Sequence, residues 1–182
     1  MIIRDATPTD LSAITDIYAE SVKNGVATYE LEPPSITEMT ARFGTITGNR
    51  YPFILAEDDG VILGYAYAGP FRTRPAYNWV CEDSIYLAPE ARGKGVGSAL
   101  LAELLVRCEA LGFRQMLAVI GGAHPASVAV HAKAGFEHRG TLKATGYKHG
   151  RWLDTTFMEI ALGDGSATDP DIETYPATLY RT

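Results

Sequence analysis

Two neighbouring carboxylates, Glu82 and Asp83, stand shortly before a glycine-rich basic run, Arg92-Gly93-Lys94-Gly95-Val96-Gly97-Ser98. A carboxylate can take a proton from an ammonium ion, directly or through one water. The basic run follows a β-rich segment over 79–87. An amphipathic helix carrying Leu100, Leu101, Leu104, Leu105, Cys108 and Leu111 on one stripe comes after it. Glycines between a strand and a helix aim backbone N–H groups and the positive helix end at one point, which suits an anion. Arg92 and Lys94 add charge, and the glycines let a pyrophosphate approach the backbone. The other reading is a glycine-rich turn with no ligand.

Spacing separates the candidate loops. A Walker loop needs Lys followed by Ser or Thr, and Lys94 is followed by Gly95. A dinucleotide fingerprint needs G-x-G-x-x-G, whereas Gly93, Gly95 and Gly97 give G-x-G-x-G. Arg92, Gly95 and Gly97 fill R-x-x-G-x-G. That pattern resembles the pyrophosphate-binding signature of the GNAT superfamily of acetyl-CoA-dependent N-acetyltransferases.

The elements that must position these residues alternate along the chain. A short strand covers 2–4, and Thr7-Pro8-Thr9-Asp10 opens a helix with Thr7 as N-cap and Leu11, Ile14, Ile17 and Tyr18 on one face. Ser35-Ile36-Thr37-Glu38 is a capping box for a second helix that ends by Gly48. Strands over 51–57 and 61–68 flank the hairpin signal Asp58-Asp59-Gly60. After a long loop over 69–78 come the strand, anion loop and helix. A strand over 115–120, a short helix over 127–134 ended by Gly135, and an antiparallel pair over 136–144 and 152–161 complete the order. Residues 1–162 are expected to form one domain. Residues 163–182 are polar and aperiodic, and read as a loose or partner-docked tail.

Composition excludes several classes. A chain of 182 residues that is 46% hydrophobic can bury a proper core. No apolar run nears the ~20 residues that span a bilayer, and the start lacks a signal-peptide layout, so no membrane role and a cytoplasmic location are expected. A net charge of −6 argues against nucleic acid as a partner. Four scattered histidines give no zinc signal, and no metal is expected. Cys81 and Cys108 lie in apolar contexts and read as reduced core residues.

The element order and the loop signature together resemble the GNAT fold over residues 1 to about 162: an α/β (α+β) mixed sheet whose central parallel strands splay to admit the cofactor's pantetheine. Four further segments resemble the phosphinothricin and methionine sulfoximine acetyltransferase subfamily. They are Tyr67 to Tyr77, Glu82 to Leu87, Ala126 to His131 with Gly135-Phe136, and Gly146 to Asp154. The resemblance implies an enzyme that acetylates the α-amine of a small amino acid in a ternary complex with acetyl-CoA, working as a homodimer.

It also implies roles. Strand alternation sends Glu82 and Asp83 to opposite faces, and the resemblance makes Glu82 the general base; the alternative is a structural carboxylate paired with a nearby arginine. His131 occupies the position where many GNAT enzymes place a tyrosine acid for the leaving thiolate; it could equally pack or cap its own helix. Backbone N–H groups among Ile85, Tyr86 and Leu87 would hold the thioester oxygen. Arg92, Gly93, Lys94, Gly95, Val96, Gly97 and Ser98 would hold the pyrophosphate. Arg72 and Arg74 suit a substrate carboxylate or phosphinate, or are solvated charges. Tyr29, Tyr77 and Tyr147 would wall the acceptor pocket, or pack in the core or a dimer. One departure is His124, where the subfamily has an asparagine that bonds the pantetheine arm. Two other readings stay open: an N-acetyltransferase of protein N-termini, and a non-catalytic acetyl-CoA-binding module.

Overall fold

A computed structural model describes residues 1–173 and Pro176. Part of the expected tail (174, 175 and 177–182) therefore lies outside the described residues. The strands are β1 (Ile2–Asp5), β2 (Phe53–Asp58), β3 (Val61–Pro70), β4 (Val80–Leu87), β5 (Gln115–Gly121), β6 (Glu137–Lys148) and β7 (Arg151–Ala161). The helices are α1 (Leu11–Asn24), α2 (Ile36–Gly48), α3 (Val96–Ala110) and α4 (Pro125–Lys133). One seven-stranded sheet runs β1-β2-β3-β4-β5-β7-β6. All neighbours are antiparallel except β4 and β5. That parallel pair is joined only from Val80↔Gln115 to Glu82↔Leu117. Beyond Glu82 the edge of β4 facing β5 has no strand partner among the described residues, while β5 stays paired with β7 as far as Gly121. The central strands therefore splay, as the resemblance implied.

Local signals account for most elements. Ser35 caps α2 by accepting from the Glu38 N–H at 3.2 Å. The Asp59-Gly60 turn takes positive φ at both residues, which the tight hairpin requires. The first helix differs from expectation: Pro8–Asp10 forms one 3₁₀ turn and α1 begins at Leu11. Asp10 is the reason. Its carboxylate accepts from the Thr7 N–H and hydroxyl, and both outer nitrogens of Arg4 grip it at 2.8 Å. That network holds Asp10 and depresses its pKa, chiefly through Arg4.

β6 is longer than expected, and continues past bulges between His138 and Gly140 and between Leu142 and Gly146. Two breaks in the period-two pattern hid its second half. The start of the tail is tied down: the Arg114 guanidinium donates to the carbonyls of Gly165 and Thr168 and to the Thr168 hydroxyl.

The pleat of β4 divides the molecule. Glu82, Ser84 and Tyr86 face α1 and α2, where the Tyr86 ring meets Tyr18 edge-on at 4.8 Å and lies against Tyr65 at 5.4 Å. Cys81, Asp83 and Leu87 face α3 and α4. Cys81 is buried against Cys108 of α3, and Asp83 bonds His131 of α4. Leu100, Leu101, Leu104 and Cys108 of α3 are fully buried on this side.

Candidate active site

Glu82 belongs to the last parallel pair before the splay, directly opposite Gly69 of β3. It is half-buried, and its pKa is pushed up to about 7. Burial is the main cause and the Asp83 charge adds to it, while Arg72 pulls the other way. A carboxyl poised near neutrality exchanges protons readily at the pH of a cell. The pull from Arg72 brings that residue of the loop between β3 and β4 into the electrostatic field of Glu82. Arg72 lies over the Phe71 ring at 5.1 Å, and Phe71 meets Tyr77 edge-on at 5.8 Å. Tyr77 thus shapes the loop that carries Arg72. Arg74 is exposed, and its carbonyl starts the Pro75–Tyr77 turn.

On the same face, α1, α2, β2 and β3 border an open cavity of about 400 Å³ lined by Tyr18, Arg42, Phe43, Phe53, Tyr65 and Tyr67. It adjoins Glu82 through β3, because Tyr67 lies opposite Ser84 and Gly69 opposite Glu82. Ile46 of the cavity wall sits 3.8 Å from where a Gly69 Cβ would stand. The sequence reading missed this wall: Arg42 and Phe43 look like ordinary positions of an amphipathic helix.

The anion loop keeps its expected place. Gly95 is the N-cap of α3 in the left-handed region at φ +83, which an L side chain resists. The first intrahelical bond runs from Ala99 N–H to the Gly95 carbonyl, so the N–H groups of Val96, Gly97 and Ser98 point outward from the helix start. A Cβ at Gly93 or Gly95 would meet no atom within 4 Å. These residues fit a pyrophosphate. Lys94 is exposed beside them. Arg92 pairs with Glu20 of α1 and reaches the Leu87 carbonyl at 3.4 Å, which fastens the loop to the helix. Gly97 also packs: it is buried, and a Cβ there would stand 3.4 Å from Leu87 Cδ1, so its Cα side lies close against β4 while its N–H stays at the helix start.

The structure places the remaining expected site residues as follows. The Tyr29 hydroxyl donates to the Asp154 carbonyl at 2.9 Å and accepts from the Gly122 N–H at 3.1 Å, with Thr155 Oγ1 at 2.8 Å. Its ring covers Gly146, where a Cβ would stand 2.6 Å away. Tyr29 is thus a strut between the 25–34 loop and β5–β7. Buried Lys148 reinforces it by donating to the Thr28 carbonyl at 2.9 Å. The pleat of β6 turns Tyr147 to the opposite face from Gly146 and Lys148. There it is exposed against Trp152 at 5.2 Å, away from Tyr29. His124 is exposed at the N-cap of α4.

His131 is buried and engaged at both ring nitrogens, Nδ1 at 2.7 Å from the Ser127 carbonyl and Nε2 at 3.0 Å from Asp83 Oδ2. Burial opposes its charged form, but the Asp83 bond and charge with the Ser127 carbonyl outweigh it, and its pKa is raised. With no ring nitrogen free, His131 fits the packing role better than that of a free acid. No cluster of three His, Cys, Asp or Glu side chains able to hold a metal occurs among the described residues. None of the described helices is long and apolar enough to cross a membrane.

Comparison with known proteins bears on this arrangement. Residues 3–157 match the family model for an acetyltransferase (GNAT) domain. The chain is 46% identical over 171 residues to a phosphinothricin N-acetyltransferase of Alcaligenes faecalis, covering 93% of this chain and 85% of that one. It is 38% identical over 161 residues to an L-methionine sulfoximine/L-methionine sulfone acetyltransferase of Pseudomonas aeruginosa, covering 88% and 94%. Among solved structures, a phosphinothricin acetyltransferase from Sinorhizobium meliloti, in complex with AcCoA, superposes with a TM-score of 0.97 at 63% identity. That match covers 100% of this chain and 98% of the other. A poised carboxylate beside a splayed parallel pair, with an anion cradle at the end of the same strand, is thus found in a chain that belongs to the GNAT family and is an N-acetyltransferase.

Proposed function

We propose that this enzyme transfers the acetyl group of acetyl-CoA to the α-amine of a small amino acid of the phosphinothricin, methionine sulfoximine or methionine sulfone type. The observation that carries the reading is Glu82: half-buried at the mouth of the splay, with a pKa of about 7 and Arg72 within its field. Bound acetyl-CoA supplies an activated acetyl group. Its pyrophosphate is held by the backbone from Gly93 to Ser98, with Lys94 adding charge and Arg92 bracing the loop. Glu82 takes the proton that the substrate ammonium must lose before the amine can attack; as the C–N bond forms, the thioester C–S bond breaks, and coenzyme A leaves as a thiolate that takes up the second proton released by the nitrogen. Arg72 and Arg74 receive the acceptor's carboxylate or tetrahedral group. Backbone N–H groups among Ile85, Tyr86 and Leu87 stabilise the negative charge that develops on the carbonyl oxygen. Cys81 points away from the Glu82 face and packs on Cys108, so neither thiol is placed to accept the acetyl group, which favours direct transfer in a ternary complex.

The exposed Tyr147, Trp152 and Leu142 on the edge hairpin offer a second copy of the chain an apolar surface, and support a homodimer. Two free, buried cysteines suit the cytoplasm. A thiol-release assay with acetyl-CoA and a panel of amines tests the reading. Methionine sulfone, methionine sulfoximine and phosphinothricin should release coenzyme A at rates far above a peptide amine. Faster release with a peptide N-terminus would replace the acceptor class, and no release with any amine would leave a binding module.

A further inference from the structure

Asp83 and His131 form a buried pair that the proposed chemistry does not use. The Ser127 carbonyl can only accept, so His131 Nδ1 carries a proton. The 3.0 Å contact between Nε2 and Asp83 Oδ2 then holds one more proton, on nitrogen or on oxygen. Both side chains are at least nine-tenths buried, with 5% of His131 and 3% of Asp83 exposed. The second carboxylate oxygen, Oδ1, is also buried and makes no hydrogen bond in the described structure. A buried acceptor left bare is costly, and so marks a place where a donor belongs.

Its position says which donor. Asp83 is the first residue of β4 beyond the parallel pairing, at the mouth of the splay. It shares its face with Leu87, and Leu87 lies against Gly97 at the start of α3. From the anion cradle back to Asp83 is four residues of strand, roughly 13 Å at ~3.3 Å per residue. A chain anchored by its pyrophosphate and laid along the free edge of β4 therefore reaches Asp83 near its far end. The partner, His131, comes from α4, which follows β5, and Gly135 just beyond that helix lies against Ile160 of β7. The pair thus ties the two limbs of the splay together.

We propose that Asp83 is a positioning residue for the acyl donor: the bond to His131 sets the opening of the splay, and Oδ1 accepts an amide N–H of the donor's pantetheine arm. This rests on the reading of acetyl-CoA as donor, and the test keeps the two apart by comparing coenzyme A with adenosine 3′,5′-bisphosphate, which shares the nucleotide end but lacks the arm. Calorimetry on Asp83→Ala should show coenzyme A affinity reduced about tenfold to a hundredfold, with that of the bisphosphate unchanged. Asp83→Asn should restore most of the loss. Its amide can donate to His131 Nε2 and present its oxygen to the arm, as a protonated carboxyl would.

Should Asp83→Ala fail to fold by circular dichroism, Asp83→Ser removes the carboxylate with less loss of packing and gives the same comparison. Equal weakening of both ligands, or unchanged coenzyme A affinity in a folded variant, overturns the proposal. Failure of the wild-type protein to bind coenzyme A would instead strike the donor assignment itself.

Discussion

Compare the two faces of β4 one residue apart. Toward α1 and α2, Glu82 is half-buried beside an open cavity, has a distant arginine for company, and keeps its proton to about pH 7. Toward α3 and α4, Asp83 is wholly buried, bonded to His131, and surrounded by packed side chains. The same functional group on successive residues becomes a titrating acid–base in one setting and a fixed linker in the other. What differs is the partner. Burial without a close cation raises a carboxyl's pKa, whereas burial with a bonded imidazole commits it to one geometry.

The sharpest way to break the comparison is Glu82→Gln. Turnover should fall by roughly 10²–10⁴-fold with coenzyme A binding retained, and the acid limb of kcat/KM near pH 7 should vanish. A surviving limb would assign that ionisation to another group. Next in size are the loop arginines. Arg72→Ala and Arg74→Ala should each raise KM for the amino acid about tenfold to a hundredfold and leave KM for acetyl-CoA nearly unchanged. Arg72→Ala should also move the acid limb to higher pH, since Arg72 favours ionised Glu82; a limb that stays put would separate the two residues.

Stability sharpens the contrast further. Between the ordinary value of 4.5 and about 7, folded Glu82 holds a proton that the unfolded chain has lost. Folding therefore weakens as pH rises through that window. Glu82→Gln removes the penalty, so urea unfolding at pH 8 should find the variant more stable by about 2–3 kcal/mol, with the gap closing toward pH 4. A gap independent of pH would mean that Glu82 titrates normally. The smallest effect belongs to the packed face. Gly97→Val should cost about 1–2 kcal/mol by crowding Leu87, seen as a lower melting temperature. Unchanged melting with weakened coenzyme A binding would leave this glycine to the phosphate alone.

Local chemistry was readable in the residues. The Ser35 cap, the Asp59-Gly60 turn, the stripe of α3 and the opposed faces of Glu82 and Asp83 all follow from neighbours a few positions away. Long-range pairings were not. Asp83 meets His131 across 48 positions, and Tyr29 reaches Asp154 across 125, through docking that no short pattern encodes. The packing of Gly97 on Leu87 was equally hidden, because a glycine in helix–strand contact and one beside a phosphate look alike in a motif. Residue type alone left Tyr147 open between pocket and packing, and only the pleat of β6 shows it exposed against Trp152 on the face away from Tyr29.

The strut at Tyr29 has a mechanical corollary. One phenol hydroxyl joins three separate stretches of chain: the 25–34 loop, β7 at Asp154 and Thr155, and the turn at Gly122 that leads into α4. The Lys148 ammonium adds a second rivet at Thr28. Such a bracket cannot hinge at one end alone, so a bulkier guest on that side would have to displace the loop and the α4 turn together. Tailoring this enzyme to new acceptors is therefore a matter of recarving the opposite bank, where α2 and residues 69–78 meet, rather than of loosening the bracket.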